Sequence, residues 1–384
     1  MEEFFHVVWE ARFFSLPVIL AYLWWDIRLY FLRARFIRNI KWVLLEIKIP
    51  RDIPKNPRAF EIIFNALHVS RKGNLIQQYW YGRVHPWFSL EMASHSGHVH
   101  FYVYSWSEYR ALVEHQIYAQ YPDVEITEVD NYTRSPAFGD PARGEWSYFG
   151  SEFVLAKESA YPIRTYVDYG LDKEGIDEPE KNDPIPSFIE FMGSLPAGSE
   201  LWYQVLIRAA GSDWKKQGTD LVDKLLQRGA YEKKDVQSLG FLRLSPGETD
   251  VAKAIERKSA KIGYEIGIRA IYLGRKGIFD PANISAMLGL LKQYATQNLN
   301  GFKPVNITTR NYILVERRES VAKRRILDAY RHRSWFYTPH RRKISVLNTE
   351  ELATIYHFPG RVSETPTLRR IEAKKSEPPM NLPI

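Results

Sequence analysis

The chain lacks cysteine altogether, and this absence removes several kinds of chemistry. None of its 384 residues is Cys, so disulfides, thiolate zinc sites and cysteine nucleophiles are excluded. The sequence also contains no phosphate-binding G-x-x-x-x-G-K-[ST] loop, no H-E-x-x-H zinc motif and no G-x-S-x-G nucleophile elbow. We therefore expect a non-enzymatic protein with no catalytic residue, no cofactor and no resident metal.

Outside one segment, the positive and negative charges of the chain balance. The net charge is +8, and residues 310–343 hold nine Arg and two Lys against three acidic residues. That segment therefore carries the whole positive excess of the chain. A local basic segment favours an acidic partner more than a diffusely basic protein would.

Long apolar runs are also scarce, and the N-terminus has a marginal one. The stretch FFSLPVILAYLWW at 13–25 is uncharged, but as a helix it covers only about 20 Å of a bilayer core about 30 Å thick. Extending it to residue 32 places Asp26 and Arg28 inside it. Residues 1–40 are therefore predicted to be a membrane-associated helix with a basic flank that either spans the bilayer or lies on its surface.

The flanks of this run indicate an orientation. Trp24 and Trp25 suit a membrane interface, and Arg28, Arg33 and Arg35 follow them. The positive-inside rule then places most of the chain in the cytoplasm, at the inner cell membrane. An acidic start and the lack of a small-residue cleavage site argue against a cleaved signal peptide.

Residues 41–133 alternate between strand and helix patterns. Their order of strand, helix, strand, strand, helix, strand is typical of the split β-α-β arrangement of ferredoxin-like folds. The predicted strands are 42–50, 87–94, 98–106 and 123–129, and the predicted helices are 57–70 and 107–121. The middle strands form a hairpin that turns at Ser96–Gly97, where glycine tolerates a positive φ.

Three histidines, His95, His98 and His100, lie in this hairpin. They are the candidates for a metal site, but their number alone does not define one. The alternative is a polar, aromatic outer face, because His98, His100, Tyr102 and Tyr104 share one side of the strand. A third interpretation, an RNA-recognition sheet, has the strand order and the aromatics but lacks the basic-glycine signature.

The same order recurs with insertions over residues 145–348. After strand patterns in 151–170, an acidic loop at 171–184 is predicted to be solvated, and ISVLN at 344–348 could close the sheet. The remaining elements are helix 185–195, strand 200–210, charged helices 213–230 and 247–263, strand 264–274 and helix 280–295. The fold class is therefore predicted to be α+β, with an N-terminal helix and two ferredoxin-like modules, the second carrying a helical insertion.

The basic segment is the candidate binding site of the second module. Arginine interleaved with aromatic residues can hold phosphates and stack on bases, although charge runs are usually solvated faces. Nucleic acid and anionic lipid are both candidate partners. The candidate side chains are Arg317, Arg318, Arg324, Arg325, Arg331, Arg333, Arg341 and Arg342.

The C-terminal region, 349–384, begins with a predicted helix and continues as a linker. Asn348 and Glu351 form a capping-box pattern, and Pro359–Gly360 ends the helix. Residues from 361 onward are polar and proline-bearing without apolar periodicity, which predicts a flexible linker.

Several stretches resemble one family: WVLLEIKIP, FNALH, WFSLEMAS, HQIYAQYPDVEI and LNTEELATIYHFPG. They are similar to the non-motor region that precedes the ATPase domain in bacterial type IV secretion coupling-protein relatives. The resemblance implies a scaffold of a conjugative DNA-transfer or secretion apparatus that positions a separate or downstream ATPase. This chain departs from that family because it has no phosphate-binding loop. No ATPase activity is therefore assigned to it.

Overall fold

The computed structural model of the protein describes residues 2–50, 56–134, 144–173, 183–231, 245–312 and 314–360. The predicted linker after residue 360 and most of the predicted acidic loop, 174–182, lie outside these residues. The chain divides into two units, one of Met1–Trp42 with Ser70–Pro86, the other of Val43–Val69 with Trp87–Ile384. The fold class is α+β, with an apolar N-terminal helix and a large antiparallel sheet.

Most of the predicted helices and strands occur. The helices are α1 (Glu2–Asn39), α2 (Arg58–Ala66), α3 (Leu75–Tyr79), α4 (Arg110–Gln120), α5 (Pro184–Gly193), α6 (Asp213–Tyr231), α7 (Pro246–Ala260), α8 (Ala282–Gly289), α9 (Val315–Arg331) and α10 (Thr349–Ile355). The strands are β1 (Trp42–Lys48), β2 (Phe88–His95), β3 (His98–Trp106), β4 (Glu125–Glu128), β5 (Trp146–Leu155), β6 (Ser199–Ala209), β7 (Gly263–Arg275), β8 (Phe302–Val305) and β9 (Ser345–Asn348). Helix α3 and strand β8 were not predicted, and β5 begins at Trp146, before the predicted stretch 151–170.

In the first unit, the segment 70–86 folds back onto α1. Gly82 has a φ of +68°, and a Cβ there would lie 2.5 Å from the carbonyl carbon of Leu32. The two backbones therefore approach closely at a position where only glycine fits. Asn74 and Gln77 form a capping box at the start of α3, which fixes how the segment turns.

In the second unit, the described strands form one nine-stranded sheet. Its order is β4-β1-β3-β2-β6-β7-β5-β8, with β9 pairing with β7 away from this path. The first four strands have the order β4-β1-β3-β2, and the next four repeat it as β8-β5-β7-β6. The two halves meet where β2 pairs antiparallel with β6, from Phe88 opposite Ile207 to His95 opposite Glu200.

The position of β9 differs from the prediction. The stretch ISVLN does not form the outer strand beside β5. As β9, it pairs instead with the start of β7, where Gly263 lies opposite Asn348. The edge position next to β5 belongs to β8 instead. The four residues of β8, FKPV, are too short and too polar to stand out as a strand, and Pro304 suits an edge where one backbone donor is not needed.

Helices cover both faces of the sheet. On one face, Leu201 and Tyr203 of β6 pack near Phe188 of α5 and Met287 of α8. On the other face, Trp202 packs with Ile326 and Tyr330 of α9. Because successive strand residues alternate between faces, β6 is buried on both sides. The charged helices α6 and α7 form an excursion between the directly paired strands β6 and β7.

Helix α10 lies in the interior. All seven of its residues are buried, and the predicted capping box between Asn348 and Glu351 forms. Glu351 also pairs with Lys258 at 2.9 Å, and both side chains are almost fully buried. The Nζ atom of Lys261 lies 2.7 Å from Glu350. This helix is therefore a packing element rather than a surface available to a partner.

Candidate functional site

A buried row of polar side chains crosses the sheet beneath α9. Five residues lie directly opposite one another on neighbouring strands: Glu152, Arg269, Gln204, Glu91 and Tyr102. We call this set the polar row. Residues opposite one another on paired strands share a face, so the row spans β5, β7, β6, β2 and β3.

Glu91 is the most enclosed acid of the polar row. Its carboxylate receives two hydrogen bonds from Arg333, from Nε to Oε1 at 2.9 Å and from Nη2 to Oε2 at 3.0 Å. Tyr132 and Ser89 donate at 2.8 Å and 2.7 Å, and Gln204 donates at 3.0 Å. The carboxylate is therefore compensated by a paired guanidinium and three neutral donors, as a buried charge requires.

Glu152 is held in the same way at the other end of the row. Arg269 donates from Nη2 to Glu152 Oε1 at 2.9 Å, and Arg342 donates from Nε to Oε2 at 2.7 Å. Asn306 adds a third donor at 2.6 Å. Arg269 also donates to Gln204 at 2.9 Å, which links the two acids into one network.

The electrostatics of both acids follow from these partners. Burial raises the pKa of Glu91, but the Arg333 charge and the hydrogen bonds outweigh burial, so the pKa lies below its ordinary value. At Glu152 burial also raises the pKa, and the charges of Arg269 and Arg342 bring it below the ordinary value. Both carboxylates are thus held ionised and enclosed. The row can fix the segment 330–342 to the sheet, and it offers no exposed acid, base or nucleophile.

Two of the three histidines of the β2–β3 hairpin contact acidic side chains. His100 Nδ1 lies 2.6 Å from Glu46, and His95 Nδ1 lies 3.2 Å from Glu200. His98 is exposed. The hydrogen bond from His100 lowers the pKa of Glu46 against the opposing effect of burial. No group of three or more His, Cys, Asp or Glu side chains suited to a metal ion occurs in the described part of the chain.

The same sheet face does not offer open aromatic platforms. Tyr102 is buried and stacks on Tyr132, with ring centroids 4.9 Å apart. The guanidinium of Arg333 lies 4.3 Å from the ring centre of Tyr104. Other side chains of the domain therefore already cover these two rings.

The basic segment is divided between the interior and the surface. Arg333 is buried against Glu91, and Arg342 is mostly buried against Glu152. Arg331 is half-buried and donates to the carbonyl of Thr133 at 2.9 Å. The structure therefore corrects the prediction for Arg333 and Arg342, which compensate buried acids. The candidates that remain exposed are Arg317, Arg318, Arg324, Arg325 and Arg341.

Three aromatic residues of this segment are unavailable for stacking on bases, whereas Tyr312 is 87% exposed and Tyr337 is half-buried. Tyr330, Trp335 and Phe336 are all buried. The indole ring of Trp335 lies over Gly267 of β7, where a Cβ would collide with it. These three rings pack on the domain.

Helix α9 presents an arginine-rich face that also includes the exposed Asp328. Its buried side carries Ile326, Leu327, Ala329 and Tyr330. At 100° per residue, the opposite side carries Arg317, Arg318, Arg324 and Arg325 around Val321, which is 57% exposed. We call these four arginines the α9 basic face.

Helix α1 contains a second cluster of predicted site residues. The guanidinium of Arg28 lies over three indole rings, at 4.5 Å from the centre of Trp80, 5.3 Å from Trp25 and 5.9 Å from Trp24. It also donates to the carbonyl of Tyr79 at 3.2 Å. Arg33 is half-buried and Arg35 is exposed. The sequence pattern predicts Trp24, Trp25 and Arg28 as interface residues, whereas Trp80 lies 52 positions after Arg28 and has no such local signal.

The residues Ser15–Asn39 are long and apolar enough to cross a membrane. Only 6% of their most apolar window is buried, so they are not a core helix of the described chain. A signal sequence meets the same criteria of length and composition.

These features define an α+β protein with an exposed apolar N-terminal helix and a sheet held by a buried polar row. The chain belongs to the family described as domain of unknown function DUF8128, whose model matches residues 39–370. No curated protein shows significant similarity to it.

Replacing Arg333 should test the role of the Glu91 pair. We expect Arg333→Met to lower the free energy of unfolding of the full chain by about 3–5 kcal/mol, because it leaves a buried carboxylate without its counter-charge. Arg325→Met, the matched control on the exposed face of α9, should change it by less than about 0.5 kcal/mol. Chemical denaturation measures both, and adding Glu91→Met to Arg333→Met should restore much of the loss. Equal effects of Arg333→Met and the control would contradict this role.

Acid should weaken the same interaction. A carboxylate whose pKa is lowered in the folded protein adds stability at pH values above its ordinary 4.5, and this contribution is lost as pH falls through the folded value. We expect Glu91→Gln to be less stable than the parent at neutral pH and the difference to shrink below pH 4.5. Denaturation curves across this range measure it, with exposed Glu256→Gln as the control. A difference that stays constant with pH would refute the expected linkage.

Proposed function

We propose that the protein is a non-enzymatic, membrane-anchored assembly component. The observation that carries this proposal is the exposure of α1, whose large apolar side chains face outward in a helix of sufficient length. Isolated apolar side chains on a surface are common, but a contiguous set of this size marks a membrane or protein contact. Those exposed by half or more include Leu16, Val18, Ile19, Leu20, Tyr22, Trp24, Ile27 and Phe31.

The buried chemistry of the sheet unit supports a scaffold. The ionisable groups of the polar row are paired and enclosed, and so is the pair of Lys258 and Glu351. A general acid or base needs access to a reacting group, and these residues have none. The basic residues after Trp25 favour the inner membrane, with the rest of the chain in the cytoplasm.

We further propose that the scaffold serves a type IV secretion or conjugative DNA-transfer apparatus and positions its ATPase. The sequence resemblance supports this assignment. Helix α10 does not supply this contact, because all seven of its residues are buried. Exposed surfaces of the sheet unit, including the α9 basic face, would make the contact.

The two halves of the sheet are proposed to be ferredoxin-like modules. In each half the strands follow the order fourth, first, third, second, with antiparallel neighbours in the pairs β1–β4, β2–β3, β5–β7, β5–β8 and β6–β7. This order is the one that a split β-α-β arrangement produces. Its occurrence in both halves supports two related modules joined through β2 and β6.

Purification from cross-linked native membranes tests the assembly role. We expect the tagged full chain to remain with membranes and to recover an ATPase that carries a phosphate-binding loop. A version lacking residues 2–39 should lose the membrane fraction. Nuclease treatment before purification distinguishes a protein contact from co-purification through DNA. Recovery of no secretion or DNA-processing ATPase would overturn the proposed apparatus, and a membrane fraction unchanged by the deletion would overturn the anchor.

A second candidate function is supported by the α9 basic face. Four arginines on one side of a helix can follow a phosphate backbone without reading sequence. Because Trp335 and Phe336 are buried, we propose that the arginines bind nucleic acid independently of its sequence. It is compatible with the assembly role and would place transported DNA beside the scaffold.

Binding to single-stranded DNA over a salt series tests this candidate. Replacing Arg317, Arg318 and Arg325 with Ser should weaken binding for every sequence and reduce the salt slope by about 2, since each phosphate contact contributes about 0.7. The control replaces three exposed lysines, Lys216, Lys224 and Lys253, with Ser and matches the charge change. Equal binding by both variants would remove the candidate. Competition by anionic vesicles but not by DNA would assign the face to lipid.

A further inference from the structure

We propose that the segment 74–81 is a second membrane contact, a short interfacial element that rests in the lipid headgroup region beside α1. We call these residues the interfacial loop. The inference rests on the proposed membrane anchoring by α1 and adds a segment that the sequence patterns did not associate with lipid. Its ligand is the headgroup and glycerol layer of a bilayer.

The first observation is the exposure of the loop. Five large apolar or aromatic side chains within seven positions face solvent: Leu75 (71%), Ile76 (64%), Tyr79 (42%), Trp80 (59%) and Tyr81 (66%). A water-exposed loop rarely carries so many, because each would be more stable out of water. Tyrosine and tryptophan, with an apolar ring and a polar tip, are the residues that favour membrane interfaces.

The second observation is that the loop is held in place before any lipid is present. The Asn74–Gln77 capping box closes α3 at its start, with Asn74 accepting from the Gln77 amide at 2.8 Å. At the other end, Gly82 lies against the backbone of Leu32. The apolar side chains therefore project from a fixed support, so ordering them costs little on membrane contact.

The third observation indicates how deep the interfacial loop lies in the bilayer. Arg28 joins the loop to α1, with its guanidinium over both Trp80 and Trp25 and its Nη1 bonded to the Tyr79 carbonyl. An arginine inside a bilayer core is costly, whereas at the headgroup level its charge meets phosphate and its stem stays apolar. Arg28 therefore places Trp24, Trp25 and Trp80 at one level, and the run 13–25 lies on the apolar side of that level.

This arrangement favours lipid over a protein partner. Trp80 of the loop and Trp24, which is itself 62% exposed on α1, both lie beside the guanidinium of Arg28. Lys72, exposed just before the loop, adds a positive charge where anionic headgroups would meet it. The result is a belt formed by two separate stretches of chain, which compensates for a helix whose uncharged run is shorter than the bilayer core.

Depth-dependent fluorescence quenching in vesicles tests the inference, and the absence of cysteine makes labelling specific. Single variants Leu75→Cys and Ile76→Cys in the full chain carry an environment-sensitive dye. Leu20→Cys reports the apolar part of α1, and Tyr118→Cys, on an exposed apolar residue of α4, controls for insertion by the dye itself. The vesicles contain phosphatidylglycerol and phosphatidylcholine with a nitroxide placed either near the headgroup or deep in the acyl chains.

We expect a blue-shifted emission at positions 75 and 76, with stronger quenching by the shallow nitroxide, and at position 20 stronger quenching by the deep one. Aqueous emission at 75 and 76 with deep quenching at 20 would overturn the interfacial loop and leave the anchor intact. Aqueous emission at 20 would overturn the anchor and the inference with it. Equal quenching at Tyr118 would show dye insertion and would also overturn the inference.

Discussion

The buried carboxylate of Glu91 constrains much of the sheet unit. An ionised acid in the interior is tolerated only with a counter-charge and further donors, and Arg333 supplies the charge from 242 residues away. Satisfying this acid brings the chain after α9 back onto the sheet, beside Tyr104 and over β7. Trp335 then covers Gly267, and Arg342 reaches Glu152. The positions of several elements thus follow from one desolvated group.

The polar row also joins the two halves of the sheet. Backbone pairing of β2 with β6 links them, and the hydrogen bond from Gln204 to Glu91 crosses the same junction at side-chain level. The two halves share one buried hydrogen-bond network. Neither half alone contains all the partners of its own buried polar groups. The two halves of the sheet are therefore joined by side chains as well as by backbone pairing. An apolar junction could bury as much surface, but it would specify the register less strictly.

Local patterns in the sequence predicted most helices and strands. They did not predict which side chains pair when the two residues are far apart in the sequence. The alternation in HVHFYVY and the capping pattern at Asn348 and Glu351 depend on near neighbours, so strand β3 and helix α10 could be predicted. The destinations of Arg333 and Arg342 could not, because a charge run has the same composition whether it faces solvent or compensates buried acids. The signal available was the acids themselves: Glu91 and Glu152 each occur within an apolar strand pattern. Trp80 was missed because its partner, Arg28, lies in another part of the chain.

The β2–β6 junction has a consequence for how the chain folds. During synthesis β2 is complete long before β6, since paired residues such as His95 and Glu200 are 105 positions apart. Until β6 arrives, β2 has an unpaired edge with strongly apolar neighbours, a state prone to joining the wrong strand. Contacts this distant in sequence also slow folding, because a long loop must close before they form. Efficient production of the protein therefore depends on keeping that edge covered during the interval.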